Sequence, residues 1–493
     1  MMKKYLKLIL ALLLTVNTLS CVDLEEKPEG LLAPETFFSS PEAFEAAVVG
    51  CYKPLYGVYA GHDTQWQSMM GSIAAEDVAT TPGDDGGLNS LNFDPAFGRL
   101  NTTWGMYYKS LTNANALVGN IKTASSEIPQ AVLDESEGQA RFIRAFDYFQ
   151  LTRYFGEIPI VTWENQKNAD KVGQSTVNEI YAFIIEDLKI AEEKLQVSYS
   201  EKGKATKGAA KALLAKVYLT AAGWPIEDPS YYELARDKAK EVIDLGVYQL
   251  ENDFRDLWLT ANKTTNSEFI FTLHGSPTRS WLEASHLHVA TRPSVEKGWA
   301  NTYSEARFYN AFPEGPRKDV SFHTEFNDGT NWQDVAPNQP FIAKYRDAGP
   351  EAATFESDAI ANDGEGFFVL LRYADVLLMY AEAANMAESG PSPEALEAIN
   401  KVRRRAMGLD PNTPDAGVDL VAMSQSDFDD AVIAERNWEL AFENNRWFDL
   451  VRKKMVVEVN QAVFPNVSEH NRLFPKPALQ VDLTEGLEQN PGY

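Results

Sequence analysis

The spacing of large apolar residues between 134 and 156 constrains this chain more than any other feature. Phe142, Ala145, Phe146 and Phe149 recur at intervals of three and four, which places them on one face of a helix. Gly156 ends the run, and Pro159 opens an extended stretch, "IPIV". Ser40-Pro41-Glu42 marks another start: a cap, a proline suited to the first turn, then an acid. Phe44, Ala47, Val48 and Cys51 follow as its apolar stripe. The same periodicity predicts helices over about 103–121, 134–155, 176–195, 206–222 and 230–245, and again over 366–389, 394–407 and 427–455. Between about 247 and 365 Gly, Pro, Asn and Asp become frequent, and runs such as "EFIFTLHG" suggest short strands between turns. A looped patch is expected near 78–101. The fold class that follows is mainly α, with antiparallel helix pairs interrupted by a long irregular insertion. No repeat of fixed length is visible, so a regular solenoid is not supported.

The start of the chain bears on location. "MMKKYLKLILALLLTVNTLSC" has a basic beginning, an apolar run from Leu8 to Val16 and small polar residues before Cys21. That is the pattern of an export signal over 1–20, too short to span a membrane. Without its three lysines the formal charge of −26 becomes −29. So acidic a chain is ill suited to nucleic acid, whose phosphates call for Lys and Arg, or to anionic lipid through a basic patch. Cys51 would be the one cysteine besides Cys21, so no intramolecular disulfide is expected in the mature chain.

Catalytic signatures are missing where they would be sought. The six histidines show no His-x-x-x-His spacing, and His286 and His288 are weak metal ligands at best. "GDDGG" at 83–87 and "NDG" at 327–329 are acidic, yet neither fits an EF-hand and both read as solvated turns. No phosphate-binding glycine loop and no G-x-S-x-G elbow occur. One stretch does raise an enzymatic question. In "ERNWELAFENNRWFDLVR", 435–452, Glu435, Glu439 and Glu443 recur every four residues, about 6 Å apart on a helix. A retaining glycosidase holds its two carboxylates at about that separation. Arg436, Arg446 and Arg452 stand among them, however, and would keep those carboxylates ionised, the wrong state for a general acid. Ion pairs beside a packed stripe of Phe428, Val432, Trp438, Phe442 and Phe448 are the favoured reading.

With those residues in view, the sequence resembles the SusD/RagB family of outer-membrane lipoproteins. The carboxyl-terminal pattern stands here as Glu435-Arg436, Glu439-Leu440, Phe442-Glu443, Arg446-Trp447, Asp449-Leu450 and Arg452. The ending "LFPKPALQVDLTEGLEQNPGY" and the runs "LLRYADVLLMYAEAAN", "AINKVRRRA", "RAFDYFQLTRYFGEIPIV" and "NTTWGMYYKSLTNANAL" fit in order. The likeness spans Cys21 to Tyr493. It implies helix pairs related to tetratricopeptide repeats, a looped binding region, no enzymatic activity and no cofactor. It further implies an N-terminal helical region over 21–225 and a C-terminal region over 226–493. Cys21 would be acylated, with Leu19 one place nearer to it than the usual lipobox residue, and the acidic Asp23, Glu25 and Glu26 would direct export to the outer face. The expected function is capture of oligosaccharide and its delivery to a TonB-dependent outer-membrane transporter. Peptide or another nutrient is the alternative ligand, and a glycoside hydrolase the less favoured class.

Ligand contacts are sought among aromatics that helical packing does not explain, because sugar C–H faces stack on rings. Trp104, Trp438 and Trp447 belong to family helices, while Trp163, Trp224 and Trp258 lie in or beside regular segments. That leaves Trp66, Trp281, Trp299 and Trp332 in turn-rich stretches, with Arg292, Asn301, Tyr303 and Asp84 as partners for hydroxyls.

Overall fold

The computed structural model describes residues 37–59, 70–81, 87–200, 203–274, 290–345 and 366–493. Its body is built of helices packed in neighbouring pairs. They are α1 (Pro41–Tyr59), α2 (Gly98–Ile121), α3 (Gln130–Phe155), α4 (Val177–Lys194), α5 (Lys207–Ala222) and α6 (Ser230–Asp244), followed by α7 (Tyr373–Ala387), α8 (Pro393–Ala406) and α9 (Gln425–Glu439). Each predicted helix up to 245 is present, within a turn or two of its expected ends. The caps explain several boundaries. Thr176 and Glu179 form a reciprocal capping box at the start of α4, and Thr206, Ser392 and Ser424 accept backbone N–H bonds at the starts of α5, α8 and α9.

Helix α3 is enclosed rather than merely striped. From Gly138 to Phe155 nearly every residue is buried, because α1, α2 and α4 pack around it. Its polar residues therefore need partners inside. Arg144 grips Asp187 of α4 through Nε at 2.7 Å and Nη2 at 2.8 Å, and its Nη1 donates to Asn115 of α2 at 2.9 Å. Three helices are thereby pinned by one guanidinium. Close packing also fixes Gly119, where any Cβ would fall within 2.2 Å of the Trp163 ring.

Two expectations are corrected. The stretch 366–389 is not one helix: Phe367–Arg372 is a strand antiparallel to Phe269–His274, with Thr272 opposite Val369 and His274 opposite Phe367. A short apolar run rich in Phe and Val carries no helical period of its own, and the sheet partner decides. The ribbon lies on the helical core, with Phe271 edge-on to Phe142 at 4.9 Å.

The stretch 427–455 is also broken. Helix α9 ends at Glu439, and a second helix, α10, covers Arg446–Arg452. Phe442 and Asn444 between them hold positive φ, 67° and 58°. Distant residues receive the backbone that the break exposes. Asp77 accepts from Phe442 N–H at 2.9 Å, Ser72 Oγ from Asn444 N–H at 3.1 Å, and Lys344 Nζ donates to the carbonyls of Glu439 (3.0 Å) and Ala441 (2.9 Å). Glu443 therefore stands off the helix that carries Glu435 and Glu439.

One continuous apolar core runs from Phe44 to Leu487, with two satellites. Among the described residues no helix is long and apolar enough to cross a membrane.

Candidate ligand-binding region

The predicted looped patch and the long insertion meet at a small two-stranded sheet. Val78–Thr80 (β1) runs antiparallel to Thr302–Ser304 (β2), with Ala79 opposite Tyr303. Both are only three residues long, drawn from Val, Thr and Tyr among others, and neither is stable without something beneath it. The support is a satellite core of Ala79, Tyr303, Phe326, Trp332 and Phe341. The Tyr303 hydroxyl crosses the sheet to donate to the Thr80 carbonyl at 2.7 Å, and Thr81 N–H extends the ladder to the Asn301 carbonyl at 3.2 Å.

A tight loop carries the chain into β2. Lys297 and Ala300 hold positive φ, and Ala300 N–H donates to the Arg292 carbonyl at 3.0 Å. Gly298 crosses so close to Arg292 that a Cβ would lie 2.1 Å from its carbonyl oxygen. Behind the loop, buried Glu296 stands 2.8 Å from His323 Nε2 and accepts from Asn327 N–H at 3.0 Å, which holds the two turns together. The expected turn at 327–329 is present, with Asp328 accepting from Thr330 N–H and Oγ1.

The candidates fall into distinct places. Trp299 is half-buried and Asn301 lies beside it on the same strand entry, with its Oδ1 enclosed and without a hydrogen-bond partner. Trp332 is 8% exposed and packs edge-on to Tyr309 at 5.8 Å, so its ring belongs to the supporting core and offers no open face. Tyr303 (4% exposed) and Arg292 (4%) are likewise buried, so neither presents its side chain as an open partner for hydroxyls. Trp66, Trp281, Asp84 and Cys21 lie outside the described residues, as do His286 and His288. Thr80 and Thr81 were not singled out from sequence. The β-branched run "VATT" was the available signal, but its partner strand lies more than two hundred residues away.

The three glutamates of the signature stretch are structural. Glu439 is 0% exposed and meets Arg317 (2.8 Å), Arg372 (2.6 Å) and Arg405 (2.5 Å). Glu443 pairs with Arg372 and Lys344, Glu435 with Arg317, and Glu268 with Arg372 and Arg405. Four buried cations thus face four buried carboxylates, and Arg403 reaches Glu435 from the solvent side at 3.3 Å. Burial would raise the carboxyl of Glu439, but the three guanidiniums prevail and hold it well below the usual range. A carboxylate so enclosed and so acidic cannot donate a proton to a glycosidic oxygen.

Comparison with known proteins places the chain in a family. Residues 296–493 match the model of the SusD family, and residues 24–219 match a family described as starch-binding, associating with outer membrane. The chain belongs to the SusD/RagB family. A SusD-like protein of Formosa agariphila, named P2, is 28% identical over an alignment covering 100% of both chains. A SusD homolog from Bacteroides thetaiotaomicron superposes with a TM-score of 0.82, covering 93% of this chain and 98% of its own at 23% identity. A laminarin-binding SusD-like protein superposes with a TM-score of 0.76 at 21% identity, covering 92% and 100%. The SusD fold therefore covers most of the chain, and every member of the buried charge cluster except Glu268 sits in the part matched by the SusD model.

Proposed function

We propose that this chain is a non-enzymatic, surface-exposed lipoprotein that captures oligosaccharide and passes it to a TonB-dependent transporter in the same outer membrane. The observation that carries this reading is the full-length likeness to a protein that binds laminarin, joined to a family described as starch-binding and associating with outer membrane. Burial of Glu435, Glu439 and Glu443 supports a binding role, since the carboxylate row that could have suggested hydrolysis is tied up in ion pairs. Trp299, half-buried and two residues from Asn301 at the entry to a supported strand, is the described aromatic kept as the candidate stacking ring. Trp66, Trp281 and Asp84 stay in the set as further contacts.

Calorimetry with laminarin and starch oligosaccharides tests the reading. Trp299→Ala is expected to weaken the cognate glycan roughly tenfold, the usual effect of removing an aromatic anchor. Trp332→Ala should instead destabilise the protein by about 3–5 kcal/mol, because its ring fills a core. If alanine at Trp66, Trp281 and Trp299 leaves the fold and the affinity untouched, the platform lies elsewhere. Release of reducing ends from either polysaccharide would overturn the non-enzymatic assignment.

Cys21 follows an export signal and precedes an acidic cluster, and on that ground it is the acylated residue. Cys21→Ala should move the protein from the membrane fraction to the soluble one. Equal membrane attachment of the variant, with no surface proteolysis of intact wild-type cells, would sink the anchor.

A further inference from the structure

A cavity of about 400 Å³ lies between the C-terminal ends of α3 and α5, the start of α4 and the closing segment of the chain. None of the described ligand-contact candidates lines it. Its wall is largely hydrocarbon, from Val177, Tyr181, Trp224, Pro225, Phe448 and Leu473, yet two buried cations, Arg153 and Lys476, also line it.

Arg153 is 8% exposed, and its guanidinium is sandwiched between the rings of Phe149 (4.1 Å) and Phe448 (3.7 Å). Nη2 donates to Gln150 at 2.6 Å, whereas Nε is buried with no partner. Among the described residues no carboxylate stands within ion-pair distance of it. That sets it apart from Arg317, Arg372, Arg405, Arg436, Arg446 and Arg452, each of which has a carboxylate partner. Lys476 is 1% exposed and donates to Gln174 Oε1 at 2.7 Å and to the Glu488 carbonyl at 2.6 Å, again with no carboxylate in contact. Burial pulls Lys476 down to about 8 and lowers Arg153 as well.

None of the remaining charges on the lining touches these two, and Glu157 and Glu488, which favour the charged Lys476 through space, do not overcome its burial. Arg452 is taken by Glu382 and Asp449, Glu157 accepts from Gln174 at 2.8 Å, and Glu488 is exposed. A buried charge without a counter-ion is costly, and an anion entering this space would offset it. Inorganic phosphate would leave the hydrocarbon wall unused, and a neutral sugar would leave its hydroxyls unpaired against that wall. We propose that this cavity binds a small organic carboxylate bearing an apolar ring or chain, its carboxylate received by Arg153 and Lys476 and its hydrocarbon by the wall around Trp224 and Leu473.

The test is calorimetry on the detergent-solubilised full chain with 3-phenylpropionate, its neutral amide and inorganic phosphate as probes. The carboxylate is expected to bind roughly tenfold or more tightly than the amide, and phosphate not at all. Arg153→Met and Lys476→Gln should each remove that preference. Arg153→Met should melt no lower than wild type without ligand, because it relieves an unpaired charge. Three outcomes would overturn the proposal: no heat from 3-phenylpropionate at millimolar concentration, equal binding of acid and amide, or unchanged binding in both variants.

Discussion

Glu439→Gln is expected to lower stability by about 3–5 kcal/mol while leaving glycan affinity unchanged. The carboxylate is fully enclosed and shared among Arg317, Arg372 and Arg405. Its cluster is balanced: Arg317, Arg372, Arg405 and Lys344 face Glu268, Glu435, Glu439 and Glu443. Glutamine keeps the shape but turns one acceptor into a donor aimed at guanidinium groups, and leaves one positive charge uncompensated. A chain of this length has an unfolding entropy near roughly 1 kcal/mol/K at its midpoint, so the transition should fall by roughly 3–5 °C. Differential scanning calorimetry measures the shift, and titration with the cognate oligosaccharide measures affinity. An unmoved midpoint with abolished binding would return these glutamates to a binding or catalytic role.

The helical body was legible in the sequence because its signals are local. The stripe from Phe142 to Phe149, the Ser40-Pro41-Glu42 start and the Gly156 stop each operate within a few residues, and the helices formed where those signals placed them. What the sequence did not reveal depends on distant partners. The break after Glu439 is stabilised by Asp77, Ser72 and Lys344, which are some 95 to 370 residues away and carry no mark of that role. Phe367–Arg372 became a strand because Phe269–His274 lies beside it.

The candidate site follows the same rule. Trp299 and Trp332 sit in equally turn-rich sequence, and only the packing of Phe326, Phe341 and Tyr309 decides that the Trp332 ring belongs to a core while Trp299 stays half-buried. The glutamate row was readable as ion-paired, but the arginines beside it are not its partners: Arg436 pairs with Asp375 and Asp449, Arg446 with Glu76, and Arg452 with Glu382 and Asp449. The partners of Glu439 itself, Arg317, Arg372 and Arg405, were not readable there.

Stability against pH should fall steeply below about pH 4, and Asp77 should shape the neutral side of the profile. Burial would raise Asp375 and Glu382, but Lys216 and Arg436 hold the first at about 2, and Arg452 and Lys453 hold the second at about 2. Both are depressed below their unfolded values, so their stabilisation is complete above about pH 4–5 and disappears as pH falls toward 2. Each contributes on the order of 2–3 kcal/mol, a large share of the 5–15 kcal/mol typical of a fold. Asp77 runs the other way. Burial is the largest influence on it and pushes its carboxyl up to about 7, while the Phe442 N–H acts against that rise. A raised acid favours the fold at low pH, and that contribution, on the order of 4 kcal/mol, is lost as pH climbs from about 4 to 7. Glu305 and Asp429 are displaced upward by burial too and reinforce the same limb, whereas His274, pushed down to about 4 by burial, opposes it between about pH 4 and 6.5. Asp77→Asn separates this acid from the rest: its amide oxygen can still accept from Phe442 N–H, and it carries no charge to ionise. Urea midpoints should show Asp77→Asn more stable than wild type at pH 7.5 and no more stable at pH 4.5. A variant weaker than wild type at both pH values would mean that Asp77 is ionised in the fold and serves as an anionic clamp on the turn after α9.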